Sequence, residues 1–314
     1  MGAYLLGRIL LLLPTLIGIT LLAFLLAHLA PGDPAQQFLE RATGQFPTPA
    51  QVTAQRHLMG LDQPLPVQYV SSLGHWARGD LGTSYSSQRA VSDVLFEKIP
   101  ATLEIAIPAA FLALFFGILV GTISAVYRNR IFDHAVRVTT LAGAAMPGFW
   151  LATILVTLFA VQLGAVPVAG REGASSFILP IVTLAIPPTA VLARFTRSTV
   201  LEVLGQDHVR TARSKGLRRW RVIRRHALRN ALVPLVTAFG TSLGHLAAGT
   251  VIVETIFAWP GVGKLAVDSI LERDYPVIEA FVLYTGIIFA VLNTLIDMSY
   301  SLLDPRVRLG AGRR

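Results

Sequence analysis

A chain of 314 residues that is 53% hydrophobic and only 14% charged, with a mean hydropathy of +0.60, lacks the charged surface of a soluble domain and reads as an all-α membrane protein. Its net charge of +9, from 27 Lys/Arg against 18 Asp/Glu, is poor evidence for a nucleic-acid partner, because the cations flank apolar runs where anionic lipid headgroups meet them first. With no cysteine in the sequence, disulfides, thiolate metal sites and thiol nucleophiles are excluded.

A hydrocarbon core about 30 Å thick needs roughly 20 apolar residues as helix. Six segments reach that length, at about 9–29, 102–127, 136–162, 177–196, 232–256 and 277–303. The first is 21 residues long, beyond the usual signal-peptide core of about 7–15, so residues 1–30 are expected to hold a transmembrane helix despite the small-residue stretch Ala27–Ala30. The region 31–101 is too long for a simple connection. Pro31, Pro34, Pro47, Pro49, Pro64 and Pro66 break it into short pieces, and Val67, Val70, Leu73 and Trp76 predict an amphipathic helix over 67–77, ended by Gly79-Asp80-Leu81-Gly82. Such a helix either lies on the outer membrane surface or forms a docking platform for a delivery protein.

Residues 102–303 hold the other five spans. Gly117-x-x-x-Gly121 and Gly240-x-x-x-Gly244 permit close helix approach, within this chain or at a seam with another. Pro147-Gly148 and Pro187-Pro188 should kink their helices. Between the fourth and fifth spans lies the most informative stretch, a loop at 197–231. Residues 194–229 hold eleven Lys/Arg against two acids, Glu202 and Asp207. Asp207 is placed to cap a short helix at 208–215; Lys215 suits its C-terminal dipole and Gly216 ends it. Val209, Ala212 and Gly216 share one face, a flat small-residue surface suited to a cleft on another protein. A second helix at about 218–230 carries Arg218, Arg219, Arg221, Arg224, Arg225 and Arg229. Each arginine would cost about 3 kcal/mol at the bilayer centre, which holds this segment outside the membrane.

With the N-terminus inside, residues 1–8, 128–137, 194–229 and the tail 304–314 carry 19 of the 27 Lys/Arg. The positive-inside rule therefore puts both termini in the cytoplasm.

Two competing classes lack equipment. A gradient-driven transporter needs ionisable groups deep in its spans. Glu104, Glu254 and Arg194 lie near span ends, Asp297 near the cytoplasmic end, and His245 alone sits mid-span. A membrane enzyme needs a constellation such as H-E-x-x-H, G-x-S-x-G or paired carboxylates at one depth, and the sequence offers none; Glu272 and Asp274 read as an exposed, solvated turn. No G-x-x-x-x-G-K-[ST] occurs either, Gly263-Lys264-Leu265 being the nearest approach.

Several strings resemble the inner-membrane permease subunits of ATP-binding-cassette importers for dipeptides, oligopeptides and nickel, and more narrowly the first of the two permeases. The family's coupling motif reads Glu-Ala-Ala, three residues, Gly, nine residues, then Ile-x-Leu-Pro. Here Arg210-Thr211-Ala212 leads to Gly216 and to His226-Ala227-Leu228-Arg229, matching the general motif at Ala212, Gly216 and Leu228 and the peptide/nickel branch more fully. Further likenesses are Leu61-Asp62-x-Pro64, Gly79-Asp80-Leu81-Gly82-x-Ser84, Pro100-Ala101-Thr102-Leu103-Glu104, Glu254-Thr255-x-Phe257-x-Trp259-Pro260-Gly261-x-Gly263, Arg273-Asp274-Tyr275-Pro276 and Leu303-Asp304-Pro305-Arg306-Val307-Arg308.

The resemblance implies a type I importer permease fold with six transmembrane helices. It implies a second homologous permease, two ATPase subunits that consume the ATP, and an external substrate-binding protein, with no cofactor or metal on this chain and no catalytic residue. It places the ATPase contact at Asp207, Val209, Arg210, Thr211, Ala212, Arg213, Lys215, Gly216 and Leu217. Trp259, Pro260, Gly261, Arg273, Asp274 and Tyr275 are candidates for outer contacts. Family weight favours a peptide as cargo, with nickel or another small solute as the alternative.

Overall fold

The computed structural model describes residues 2–29 and 32–303; the expected tail 304–314 lies outside them. Among the described residues the regular structure is helical, apart from an antiparallel bridge between Thr83 and Ala90. The helices are α1 (Gly2–Leu29), α2 (Pro34–Thr43), α3 (Pro49–Leu58), α4 (Leu65–Trp76), α5 (Val91–Val126), α6 (Ile131–Ala145), α7 (Gly148–Leu155), α8 (Ile178–Leu204), α9 (Asp207–Ser214), α10 (Arg219–Val222), α11 (Arg229–Ile256), α12 (Val262–Glu272) and α13 (Tyr275–Leu303). Two compact units form, one from residues 1–101 and 260–290, the other from 102–259 and 291–314.

In the first unit the prolines start helices more than they interrupt them. Pro34 and Pro49 open α2 and α3, where the missing N–H is no loss. Asp33 caps α2 by accepting from Ala35 N at 2.9 Å. Thr48 and Gln51 close a capping box on α3, a device whose removal costs about 1 kcal/mol. Arg56 donates to Asp33 at 2.8 Å and to Leu61 O at 3.2 Å, tying α3 to α2.

The helix expected over 67–77 is α4, but its packed face differs from the expected one. Val67 and Val70 are exposed. Tyr69 is buried, and its hydroxyl donates to Ile17 O at 2.8 Å and lies 3.0 Å from Thr20 Oγ1 on α1. A tyrosine inserted there needs partners for its hydroxyl, and the carbonyl of α1 supplies one, so the Tyr69 face wins over the purely aliphatic one. Gln68 then reaches His28 Nε2 at 3.2 Å.

Helix α12 was not expected; it runs up to the exposed turn expected at Glu272 and Asp274. Val262 joins Val91, Leu95, Val277 and Ala280 in a small core. Arg273 ends α12 with a left-handed φ of 55°. The exposed carboxylates Asp62 and Asp80 pair with His57 Nδ1 at 2.6 Å and His75 Nδ1 at 2.8 Å. These hydrogen bonds hold both carboxyls below their ordinary range.

In the second unit α8 and α11 pack along their lengths, with α6 and α7 also against α8. Gly117 and Gly121 face α8 so closely that a Cβ at Gly117 would stand 2.6 Å from Leu192 Cβ, and one at Gly121 2.6 Å from Thr196 Cβ. Within the chain, this pair therefore serves helix packing. A Cβ on Gly240 would likewise collide with Ile296.

The stretch 136–162, expected as one kinked span, is broken: Ile131–Ala145 and Gly148–Gln162 meet at 108°. Met146 is extended, with ψ 124°, and Pro147 follows at ψ 136°, so the peptide preceding and the proline itself leave the helical region together. Helix α8, by contrast, runs unbroken through Pro187 and Pro188. The side chains of His245 and Asp297, weighed above as coupling groups, lie outside the described residues. Glu104 pairs with Arg171, the Nε–Oε2 distance being 2.9 Å, and buried Glu254 accepts from Thr102 Oγ1 at 2.6 Å.

Candidate coupling interface

Helix α8 ends at Leu204, and Gln206 turns the chain extended (ψ 153°) before α9 begins. Asp207 is the first helical residue, not the cap: no side chain caps α9. The Asp207 carboxylate stands 3.6 Å from Arg210 Nη1, with both side chains largely in solvent. Exposed, such a pair contributes little. Gly216 closes α9 with φ +72°, while Gly216 N donates to Arg213 O at 3.0 Å and Leu217 N to Ala212 O at 3.4 Å. That is a glycine C-terminus that other residues reach only under strain.

The small-residue face points inward. Val209 is fully buried and Ala212 is 5% exposed. They join Val200 and Val203 of α8, Val222 of α10, Ala125 of α5, and Ala227, Ala231 and Leu235 at the start of the next helix in one apolar cluster. Leu217 packs on its edge. The expectation that Val209 and Ala212 form an outward surface is thus reversed: the pattern of small residues lets α9 sit close on its own base. Outward stand Asp207, His208, Arg210, Thr211, Arg213, Ser214 and Lys215, all exposed. What α9 offers a partner is a polar, cationic ridge carrying one carboxylate.

The base of α9 is braced by groups that no motif announced. Asp133 is fully buried and takes a bidentate pair from Arg197, Nε–Oδ1 2.6 Å and Nη2–Oδ2 2.8 Å. Ser124 Oγ adds a bond at 2.6 Å and Asn129 N another at 2.9 Å. The network joins α5, the turn after it, α6 and the last turns of α8. Arg219 Nη2 also donates to Val126 O at 2.6 Å. Beside α9, a cleft of about 280 Å³ is edged by Arg128, Arg213 and Arg219. The second basic helix is short, Arg219–Val222, and passes through a π-helical stretch, Ile223–Leu228, directly into α11. Helix α9 is therefore clamped to α8 on one side and to the root of α11 on the other, through dry contacts and no long loop. A displacement of α9 has to carry both, because close-packed interiors transmit strain. The arrangement suits mechanical transmission; it presents no nucleophile–base pair, and among the described residues no group of three His, Cys, Asp or Glu converges as a metal site.

The outer candidates are structural in large part. In the second unit Trp259 is fully buried, its ring edge-on to Phe177 at 4.7 Å and its backbone N–H donating to the Glu254 backbone O at 2.8 Å. In the first unit Gly261 is buried and Pro260 half-buried. Asp274, read as solvated, is 1% exposed and accepts from Ser84 Oγ at 2.5 Å, Tyr85 N at 2.9 Å and Ser86 N at 3.1 Å. Tyr275 is buried with its ring 4.7 Å from that of His28. The Arg273 guanidinium fills the place where a Cβ on Gly32 would stand. These side chains hold their own units together; exposed apolar groups on the same side of the sequence are instead Phe46, Leu58, Val67 and Val70.

Residues 117–309 match the family described as binding-protein-dependent transport system inner membrane component, and residues 1–106 its companion N-terminal model. The chain is 41% identical over 337 residues to the di/tripeptide transport system permease protein DppB of Pseudomonas aeruginosa (strain UCBPP-PA14), covering 98% of this chain and 99% of that one. It is 41% identical over 306 residues to the glutathione transport system permease protein GsiC of Salmonella choleraesuis (strain SC-B67), covering 97% and 98%. Among solved structures, a chain of the inward-facing MetNI methionine ABC transporter superposes with a TM-score of 0.58 at 20% identity, covering 67% of this chain and 96% of that one. At that identity the likeness speaks for the fold.

Proposed function

Because the chain belongs to the binding-protein-dependent transport system inner membrane components, and is thus a multi-pass permease of the inner membrane, we propose that it forms half of the translocation path of an ATP-driven importer of peptide-like solutes. The observation that carries the cargo class is the near full-length match to two permeases whose names share a peptide cargo, di/tripeptide in one and glutathione in the other. A second homologous permease supplies the other half of the path, and an external binding protein delivers the solute.

Among the described residues, three helices are long and apolar enough to cross a membrane, and three bent pairs bring the number to six if each is one span. With six spans the basic residues set both termini in the cytoplasm, and α9 faces the cytoplasm too. Two ATPase subunits engage its exposed ridge, Asp207, Arg210, Thr211, Arg213 and Lys215, while Val209, Ala212 and Leu217 hold the helix to the core and Gly216 sets its end. ATP is bound and hydrolysed by those subunits, and this chain carries no cofactor.

The test is extraction of the tagged native protein in mild detergent, identification of what co-purifies, and uptake of labelled dipeptide and glutathione by the reconstituted assembly. A second permease, an ATPase and ATP-dependent uptake of either solute are expected. A chain that emerges intact and alone from several detergents overturns the assembly, and uptake of neither solute by an ATP-hydrolysing assembly overturns the cargo class.

A further inference from the structure

The unit built from residues 1–101 and 260–290 contains a cavity of about 580 Å³, far from α9 in sequence. It lies among the end of α1, α3 and α4, the turn at 80–88 and the first turns of α13. Its size falls in the range that holds small organic ligands. Two features make its chemistry specific.

The first is charge. In a chain of net charge +9, the lining holds two carboxylates, Glu279 and Asp80, and no lysine or arginine. Asp80 is answered by His75 at 2.8 Å. Glu279 is not answered: it is only 6% exposed, it faces the cavity, and among the described residues no hydrogen bond or ion pair reaches its carboxylate. A carboxylate taken out of water without a partner is a liability. The N-terminal end of α13 relieves this little, because Glu279 is already in the second turn and the dipole effect fades within the first.

The second is the aromatic lining. Phe24, Trp76, Tyr85 and Tyr275 line the same cavity, together with Gln63 and Gln68. Tyr85 and Tyr275 stand with ring centroids 6.4 Å apart. Aromatic rings and a carboxylate without a protein partner together suit a compact organic cation: π-faces for its charge and one counter-ion that accepts from its N–H groups.

We propose that this cavity binds a primary ammonium group, with Glu279 as its counter-charge. A soluble amine and the ethanolamine headgroup of a membrane lipid carry the same chemistry. The site stands independently of the transport reading, and its test requires no transport.

The full-length protein, with whatever subunits accompany it, is placed in nanodiscs of phosphatidylglycerol, which has no amine, and dialysed against radiolabelled ethanolamine. Saturable binding of one ethanolamine per chain is expected, unaffected by excess ethylene glycol. Glu279→Gln should weaken it by about tenfold or more, since a charge-assisted hydrogen bond is lost. If that variant does not assemble, Trp76→Leu tests the aromatic wall and should weaken binding several-fold. Adding phosphatidylethanolamine to the discs separates the sources: displacement of ethanolamine marks the site as a lipid headgroup site, and undiminished binding marks it as one for soluble amines. Absence of saturable ethanolamine binding together with no phosphatidylethanolamine retained in native mass spectra overturns the proposal. Wild-type affinity in both variants overturns it equally.

Discussion

Asp133 accepts four hydrogen bonds while fully buried, and its partners come from three separate stretches of chain. Removing the carboxylate leaves the half-buried Arg197 without its bidentate partner, so Asp133→Ala should cost about 3 kcal/mol, visible as a large drop in thermal midpoint in detergent. A change under about 1 kcal/mol would show the pair to be dispensable. The pair His75–Asp80 is exposed and acts through pH. Its carboxyl is held below the ordinary range, chiefly by the bond from His75, so it favours the folded state above the unfolded carboxyl value of about 3.9 and loses that contribution as pH falls through the folded one. His75→Gln should raise the Asp80 titration towards that value, read by carboxyl-carbon NMR; an unmoved midpoint would assign the shift to Gly82 N instead. Neither role was legible from sequence. An Asp beginning an apolar stretch reads as a boundary residue, and Glu272-Arg273-Asp274-Tyr275 reads as a wet turn, because the groups that consume Asp274 are Ser84, Tyr85 and Ser86, almost two hundred positions away.

Helices α4 and α9 show the complementary pattern, in which existence is legible and orientation is not. The C-terminal end of α9 follows from local chemistry, whereas the cap expected from Asp207 does not form: Gly216 takes the left-handed conformation that its position demands, and Gly216→Val should strain it by about 1–2 kcal/mol. We expect that variant to insert normally and to hydrolyse ATP in its assembly with transport uncoupled; unchanged uptake would remove Gly216 from the coupling role. The facing of α9 was inverted because small residues spaced three and four apart suit a partner's cleft and the chain's own core equally. The core claims them here, since nine buried side chains gather at that spot. The same ambiguity touched α4, where a tyrosine hydroxyl settled the rotation. Helices α2 and α3 escaped notice because proline punctuates a sequence the same way whether it stops one helix or begins the next. On α5, Gly121→Leu would drive a side chain into Ala193 and Thr196; overpacking of that kind costs about 1–3 kcal/mol, measurable by chemical denaturation in detergent. Wild-type stability would mean that α5 and α8 separate at no cost.

Over the whole molecule, the apolar lengths needed no structure to be seen, because the bilayer imposes a length that composition alone satisfies. The breaks within them did need one. The charge distribution was equally plain, and it makes a global prediction: reversing Arg210, Arg213 and Lys215 to Glu together should abolish co-purification of the ATPase while membrane insertion persists, whereas an undiminished complex would place the contact elsewhere. The bend between Ala145 and Gly148 carries a different consequence. There the backbone leaves the helix at Met146 and Pro147, beside exposed Phe149 and Trp150. If residues 131–162 cross the bilayer as one bent span, the last carbonyls of α6 emerge within it, and hydrocarbon offers them no donor. Liquid tails cannot surround that corner. Either solvent penetrates to this depth, or another polypeptide covers it; the fold of a single chain thus dictates where the finished transporter must be wet or sealed.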